Sequence, residues 1–463
     1  MLSSRLPKDL SPSPFFAELE RAKAEVFAEC AGTSALPFID MTVSSPVRAG
    51  LPIDLGATVE VARKDFGCWN PDAAGWKSAR EAVVEYYRER GGNFTAGQII
   101  LTASTSEAYS VLFKTFCDPG DVILTPMPGY PLLDTLAQLE HLECAPYFLK
   151  LQREKKKKIP ALVRRRSPQV AGMTSGVDFR FILDTDSLLA APEKAKILLL
   201  VSPHNPTGHC VSREEWNAAV HFCEENDMIL VVDEVFGDYG FSPEVRRSWE
   251  YLMGGKRDSR LGSATLTTGR GDDSGRESLW DAGGADFINL PEDGPKCPIF
   301  WLNGLSKAVG SPQLKLGWMA FYAPRERFEE IRAALEFVED AYLSVSAPAQ
   351  ALGTALLKQA AAYESRVKER LLTNWQTLRD AFPAKYCPEV LGGWYAVIRL
   401  GEDDEELTLR LLREKHVLVQ PGFFFDFDED GWVVVSLLQE PAQFKEAVAR
   451  IREEDPHLGG HAH

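Results

Sequence analysis

A lysine stands just beyond an apolar run in Ile299-Phe300-Trp301-Leu302-Asn303-Gly304-Leu305-Ser306-Lys307. The residue types allow two readings: a surface lysine in a turn, or an amine whose pKa is lowered by desolvation and nearby cations so that it can form a Schiff base. Other polar groups follow apolar runs in the same way. Met228-Ile229-Leu230-Val231-Val232 ends in Asp233, and a carboxylate at the end of so apolar a strand needs a partner, because an unpaired buried charge is costly. A protonated pyridine nitrogen would be one. Ile197 to Val201 leads into Ser202-Pro203-His204-Asn205-Pro206-Thr207-Gly208, which is a turn by composition and a candidate site by position. Ile99 to Leu101 leads into Thr102-Ala103-Ser104-Thr105-Ser106, followed by Val111, Leu112 and Phe116 at helical spacing. Hydroxyls and free N–H groups at a helix N-terminus make a phosphate cradle, although Ser and Thr also serve as plain caps.

The elements that must position these groups are short apolar runs without polar alternation. That is the signature of strands buried on both faces of a largely parallel sheet, so an α/β layered domain is expected. In such sheets ligands bind beyond the C-terminal ends of the strands. Amphipathic helices are expected over Pro14 to Cys30 and Ala79 to Tyr87. Residues 151–178, with Lys155 to Lys158 and Arg164 to Arg166, read as a solvated loop, and the polar stretch 254–296 as a long exposed insertion. Near the C-terminus, Trp394 to Leu400, Val417 to Val419 and Val433 to Leu437 read as strands of a smaller α+β domain.

Composition narrows the chemistry. With 463 residues, 45% apolar and 25% charged, the chain is that of an ordinary globular protein with more than one substructure. A net charge of −16 opposes nucleic-acid binding. The eight cysteines include no C-x-x-C pair and no His at zinc-ligand spacing, so no metal is expected. No apolar window suits a membrane span and the N-terminus has no apolar leader core, which gives a cytoplasmic expectation. Gly269-Arg270-Gly271 followed by Gly275 has the wrong spacing for a dinucleotide fingerprint, and no G-x-x-x-x-G-K-[ST] accompanies Asp233-Glu234.

The order S-x-S, N-P-T-G, an apolar strand ending D-E, then G-L-S-K-x-x-G with a basic residue eight positions after the lysine resembles the class I/II aminotransferases, from about Asp40 to Leu438. The resemblance implies pyridoxal 5′-phosphate (PLP) as cofactor and fold type I, with a mainly parallel sheet flanked by helices and a smaller α+β domain. It also implies a homodimer. Its expected divisions are 1–54 for an N-terminal arm and part of the small domain, 55–330 for the large PLP-binding domain and 331–463 for the rest of the small domain. The implied reaction moves an amino group between an amino acid and a 2-oxo acid through a lysine Schiff base and pyridoxamine phosphate. A PLP lyase, decarboxylase or synthase is the alternative.

The resemblance assigns Lys307 to the cofactor-holding lysine that shuttles the Cα proton, Asp233 to the pyridine nitrogen and Asn205 to the ring hydroxyl. It assigns Ser104, Thr105 and Ser106 to the phosphate, Tyr130 in Pro126-Met127-Pro128-Gly129-Tyr130-Pro131 to ring stacking, and Gly304 to the lysine turn. Trp69 lies near the family's tyrosine that reaches the partner subunit's phosphate. Three positions depart from the pattern. Phe236 replaces a tyrosine that bonds the ring oxygen, Lys315 replaces a phosphate-binding arginine, and Val434 stands where an arginine usually grips the substrate carboxylate. Within Met41 to Gly50, a stretch that in the family passes over the substrate side, Ser44 and especially Arg48 are the expected substitutes.

Overall fold

The computed structural model describes residues 13–30, 36–155, 177–242, 247–252, 294–401 and 403–454, together with Ser3, residues 5–7, Ser11 and Val245. In chain order its strands are β1 (Ile39–Asp40), β2 (Ile99–Thr102), β3 (Val122–Met127), β4 (Glu143–Lys155), β5 (Val177–Leu183), β6 (Ala195–Val201) and β7 (Ile229–Asp233). They continue with β8 (Ile299–Gly304), β9 (Gly317–Tyr322), β10 (Tyr395–Arg399), β11 (Val417–Leu418), β12 (Gln420–Pro421) and β13 (Trp432–Ser436). Among the described residues, eight of these form one sheet in the order β2-β9-β8-β7-β6-β3-β4-β5. The pairs β3–β4, β3–β6, β6–β7 and β7–β8 are parallel, and β2, β5 and β9 run antiparallel to their neighbours.

The apolar runs lack polar alternation because both faces of this sheet are covered. Leu230, Val232, Ile299 and Trp301 belong to one core, while Ile229, Val231, Phe300 and Leu302 belong to the other. Alternate residues of one strand therefore enter opposite layers. Helix Thr105–Phe116 closes the second layer with Ala108, Tyr109, Val111 and Leu112. Helix Lys77–Arg88 closes the first with Val83, Tyr86 and Tyr87.

A smaller sheet has the order β10-β13-β12, and β1 pairs in parallel with β11. The chain start is thus stitched into the C-terminal part. Met41 N–H donates to Leu418 O at 2.8 Å, Ser436 N–H to Met41 O at 2.7 Å, and the Ser436 hydroxyl to Val43 O at 2.6 Å. Helix Pro14–Cys30 packs Phe15, Leu19 and Val26 against Leu412 and Leu418.

Two expectations need correction. The stretch expected to be a loop from residue 151 begins as strand, since β4 runs to Lys155 and pairs with β5 through Lys155↔Val177. Its remainder over 156–176, and the insertion over 254–293, lie outside the described residues. Strand β9, not anticipated, inserts between β2 and β8, with each of its six residues buried.

Candidate active site

Three of the expected groups arrive at the same edge of the sheet because three adjacent strands end there. β6 runs out toward Asn205, β7 ends in Asp233, and β8 feeds Gly304 and the turn bearing Lys307. One cavity of about 360 Å³ is lined by Ser44, Ser104, Thr105, Ser106, Tyr130, Asn205, Asp233, Phe236, Gly304, Lys307 and Lys315. Tyr109 and Tyr395 join this wall.

Lys307 lies in a short helical turn, with Nζ 4.7 Å from the Trp394 ring centroid and 5.4 Å from that of Phe236. Burial lowers its amine to about 8, against the opposing pull of the Asp233 carboxylate. Its carbonyl accepts a 2.6 Å bond from the Tyr239 hydroxyl, so that phenol fixes the lysine backbone.

The Asp233 carboxyl lies above its ordinary pKa. Burial raises its pKa, while hydrogen bonds from Tyr109 and Val235 and the charge of Lys307 pull it down. The Tyr109 hydroxyl donates to Oδ2 at 2.6 Å, and Val235 N–H donates to Oδ1 at 3.0 Å. Asn205 offers a buried Oδ1 with no hydrogen-bond partner.

The hydroxyl turn opens helix Thr105–Phe116. Ser104 is its N-cap and accepts from Glu107 N–H at 3.2 Å. Gly317 of β9 lies directly beneath: a Cβ there would stand 3.0 Å from the Ser104 carbonyl carbon and 3.1 Å from the Thr105 nitrogen. The close approach favours glycine, since any larger residue would have to push that backbone back. Lys315, in the left-handed region at φ 51°, reaches the same cavity.

These features fit a phosphorylated pyridine aldehyde. An amine at the end of one strand, a buried carboxylate at the end of the next, an unpartnered amide oxygen and a helix N-terminus lined with hydroxyls match its aldehyde, ring nitrogen, ring hydroxyl and phosphate.

The substrate side differs from expectation. Val434 is fully buried and pairs with Val397 and Gln420. Arg48 is not brought to the cavity; its side chain is 73% exposed and approaches Asp40 at 3.9 Å. The turn Pro46 to Gly50, closed by Ala49 N–H donating to Ser45 O and Leu51 N–H donating to Pro46 O, carries it away, whereas Ser44 just before the turn stays on the wall. Burial raises the pKa of the neighbouring Tyr395 phenol, against a hydrogen bond from Ser44. Trp69 is 81% exposed and borders a separate recess with Asn70 and Glu339.

Two residues of the cavity wall escaped the sequence reading, Tyr109 and Tyr395. Tyr109 was discoverable: it lies four residues after Thr105 and three before Leu112, on the buried stripe of its helix. Asp233 shares strand parity with Ile229 and Val231, which face that same layer. Tyr395 follows Trp394 in an apolar strand, where nothing in its neighbours singles it out.

The chain matches the family model described as aminotransferase class I and II over residues 70–451. It is 22% identical to the glutamate-pyruvate aminotransferase AlaA of Haemophilus influenzae over 82% of this chain and 81% of that one. It is 21% identical to the tyrosine aminotransferase of Caenorhabditis elegans over 82% and 69%. The fold matches an alanine aminotransferase from Pyrococcus furiosus with a TM-score of 0.72 at 19% identity, covering 99% of this chain and 100% of that one. An aspartate aminotransferase of Thermus thermophilus matches with a TM-score of 0.69 at 20% identity, covering 97% and 98%. The chain belongs to the class I and II aminotransferases and is a PLP-dependent transaminase of fold type I.

Proposed function

We propose that this cavity is where an amino acid gives up its amino group and a 2-oxo acid receives it, with Lys307 holding and releasing the cofactor. The observation that carries this reading is the convergence of Lys307, Asp233 and Asn205 from three adjacent strands on one cavity that also contains the Ser104 to Ser106 turn. Bound PLP supplies an electron-withdrawing pyridinium that acidifies the proton on the substrate Cα. Asp233 holds the proton on the ring nitrogen. Asn205 bonds the ring hydroxyl, and Ser104, Thr105, Ser106 and Lys315 bind the phosphate. Tyr130 would cover the ring, and Lys307 would carry the Cα proton.

Where relatives carry a carboxylate arginine, Ser44 and Tyr395 present hydroxyls on the substrate side of this cavity. Neutral donors give each bond less than an arginine fork would, so substrate binding leans on both. We also propose a homodimer, supported by the exposed Trp69 and Phe337, each 81% accessible. The divisions 1–54, 55–330 and 331–463 suit this reading, because β1 joins the C-terminal strands. No described helix is long and apolar enough to cross a membrane. The eight free cysteines support a reducing compartment such as the cytoplasm.

The test is a screen of amino donors against pyruvate and 2-oxoglutarate, together with borohydride reduction and peptide mapping. Amino transfer and a reduced pyridoxyl group on Lys307 are expected. Release of carbon dioxide or elimination products without transfer, or a label on another lysine, would overturn the reading.

A further inference from the structure

Tyr109 has no place in the roles assigned above, yet it makes the shortest bond to their central carboxylate. The phenol is 5% exposed, stands on helix Thr105–Phe116, and donates to Asp233 Oδ2 at 2.6 Å, the length of a charge-assisted O–H···O⁻ bond. Val235 N–H occupies the other oxygen at 3.0 Å. A carboxylate torsion is otherwise soft and twofold. One fixed donor on each oxygen stops the rotation of a carboxylate that lines the cavity.

We propose that Tyr109 is a positioning residue of the transamination site, which orients the Asp233 carboxylate and keeps it ionised for the ring nitrogen of the cofactor. The inference rests on the reading of Asp233 given above. The tyrosine is not a proton source: burial and the adjacent Asp233 charge push its own ionisation far above the ordinary range. It remains a neutral donor. Burial pushes the Asp233 carboxyl toward its protonated form, and the phenol is the leading influence in the other direction. A protonated carboxyl cannot retain a pyridinium proton. The same helix carries the Ser104 to Ser106 turn one turn earlier, so one rigid element locates the groups for both the phosphate and the ring nitrogen.

The experiment compares purified wild-type protein with Tyr109→Phe, Asp233→Asn and the double variant. PLP affinity for the apo protein is measured by absorbance titration from about pH 5 to 9, beside kcat/KM and melting temperature. Phenylalanine keeps the ring that packs 6.1 Å from Phe113. The expected result for Tyr109→Phe is retained covalent attachment and PLP affinity about tenfold weaker or more. The deficit should be largest at low pH, with the acid limb of kcat/KM moved upward. Adding Tyr109→Phe to Asp233→Asn should cost little more, because an amide has no ionised form for the phenol to favour. Unchanged affinity and pH profile in Tyr109→Phe, or a loss that simply adds to that of Asp233→Asn, would overturn the proposal. If Asp233→Asn is itself without effect, the reading of the carboxylate fails with it.

Discussion

The Lys307 amine lies 4.7 Å from the centre of the Trp394 indole, and this contact joins the β8 turn to the entry of β10. The pKa of this amine falls from an ordinary 10.5 to about 8, because loss of water outweighs the opposing charge of Asp233. Attachment of PLP needs the neutral amine. The attachment rate of the apo protein is therefore expected to rise with pH and level off above about 8 rather than above 10.5. Stopped-flow absorbance at a series of pH values checks this, and Trp394→Leu, which gives the amine a less complete cover, should move the midpoint upward.

Asp233→Asn should hold PLP on Lys307 but lose transamination by on the order of 10²-fold or more, since an amide cannot stabilise the charge that develops on the ring nitrogen. Single-turnover amino transfer with the reduced-adduct assay beside it separates lost chemistry from lost cofactor. Full turnover in this variant would make the carboxylate a structural group.

Tyr395→Phe preserves the edge contact with the Phe236 ring at 6.0 Å while removing the hydroxyl that meets Ser44. We expect KM for the amino donor to rise and kcat/KM to fall about tenfold, with the cofactor spectrum unchanged. Arg48→Ala, by contrast, should leave kcat/KM nearly unaltered, because the Arg48 side chain is exposed and its partner Asp40 is 3.9 Å away.

Gly317→Ala tests the phosphate cradle. The new methyl would press on the Ser104 carbonyl carbon at 3.0 Å and the Thr105 nitrogen at 3.1 Å, both backbone atoms that cannot swing aside. PLP affinity should fall at least tenfold, measured by equilibrium titration. A thermal shift without loss of affinity would place the strain elsewhere.

Asp238 offers a stability test away from the cavity. Burial alone would raise its pKa, but Arg247 and Arg90, with a 2.6 Å bond from Tyr86, hold it down to about 2. A depressed carboxyl contributes stability above its unfolded value near 3.8, and that contribution is lost as pH falls through about 2. Asp238→Asn should cost about 3 kcal/mol or more at neutral pH by taking the counter-charge from the buried Arg247 and leaving Arg90 to Glu364 at 3.1 Å. The difference from wild type should shrink below pH 4, as read by denaturant melts at each pH.

The strand ends were legible because a polar residue after a doubly buried run breaks a strong local pattern, as at Asp233, Asn205 and Lys307. β9 was not, since Gly317 to Tyr322 follows Lys315 and Leu316 without a turn signal of its own. Arg48 illustrates the limit most clearly. Its segment does reach the cavity, for Ser44 lines it, but residue types cannot show that the turn after Ser45 carries the next cation outward. Tyr109 was readable only by combining strand parity with helix stripe, and Tyr395 only from the packing of two sheets.

The pairing of Ile39–Asp40 with Val417–Leu418 has a consequence for biosynthesis. While the ribosome is still extending the chain, the segment that carries Ser44 has no strand to dock on, although all eight strands of the central sheet have already emerged. Completion of the substrate wall must wait for the last part of the message, and closing so long a loop is slow compared with local folding. A stalled or C-terminally clipped chain would contain the lysine, the carboxylate and the hydroxyl turn, but helix Pro14–Cys30 and strand β1 would be left without the partners they pack on, an apolar face for quality control to recognise.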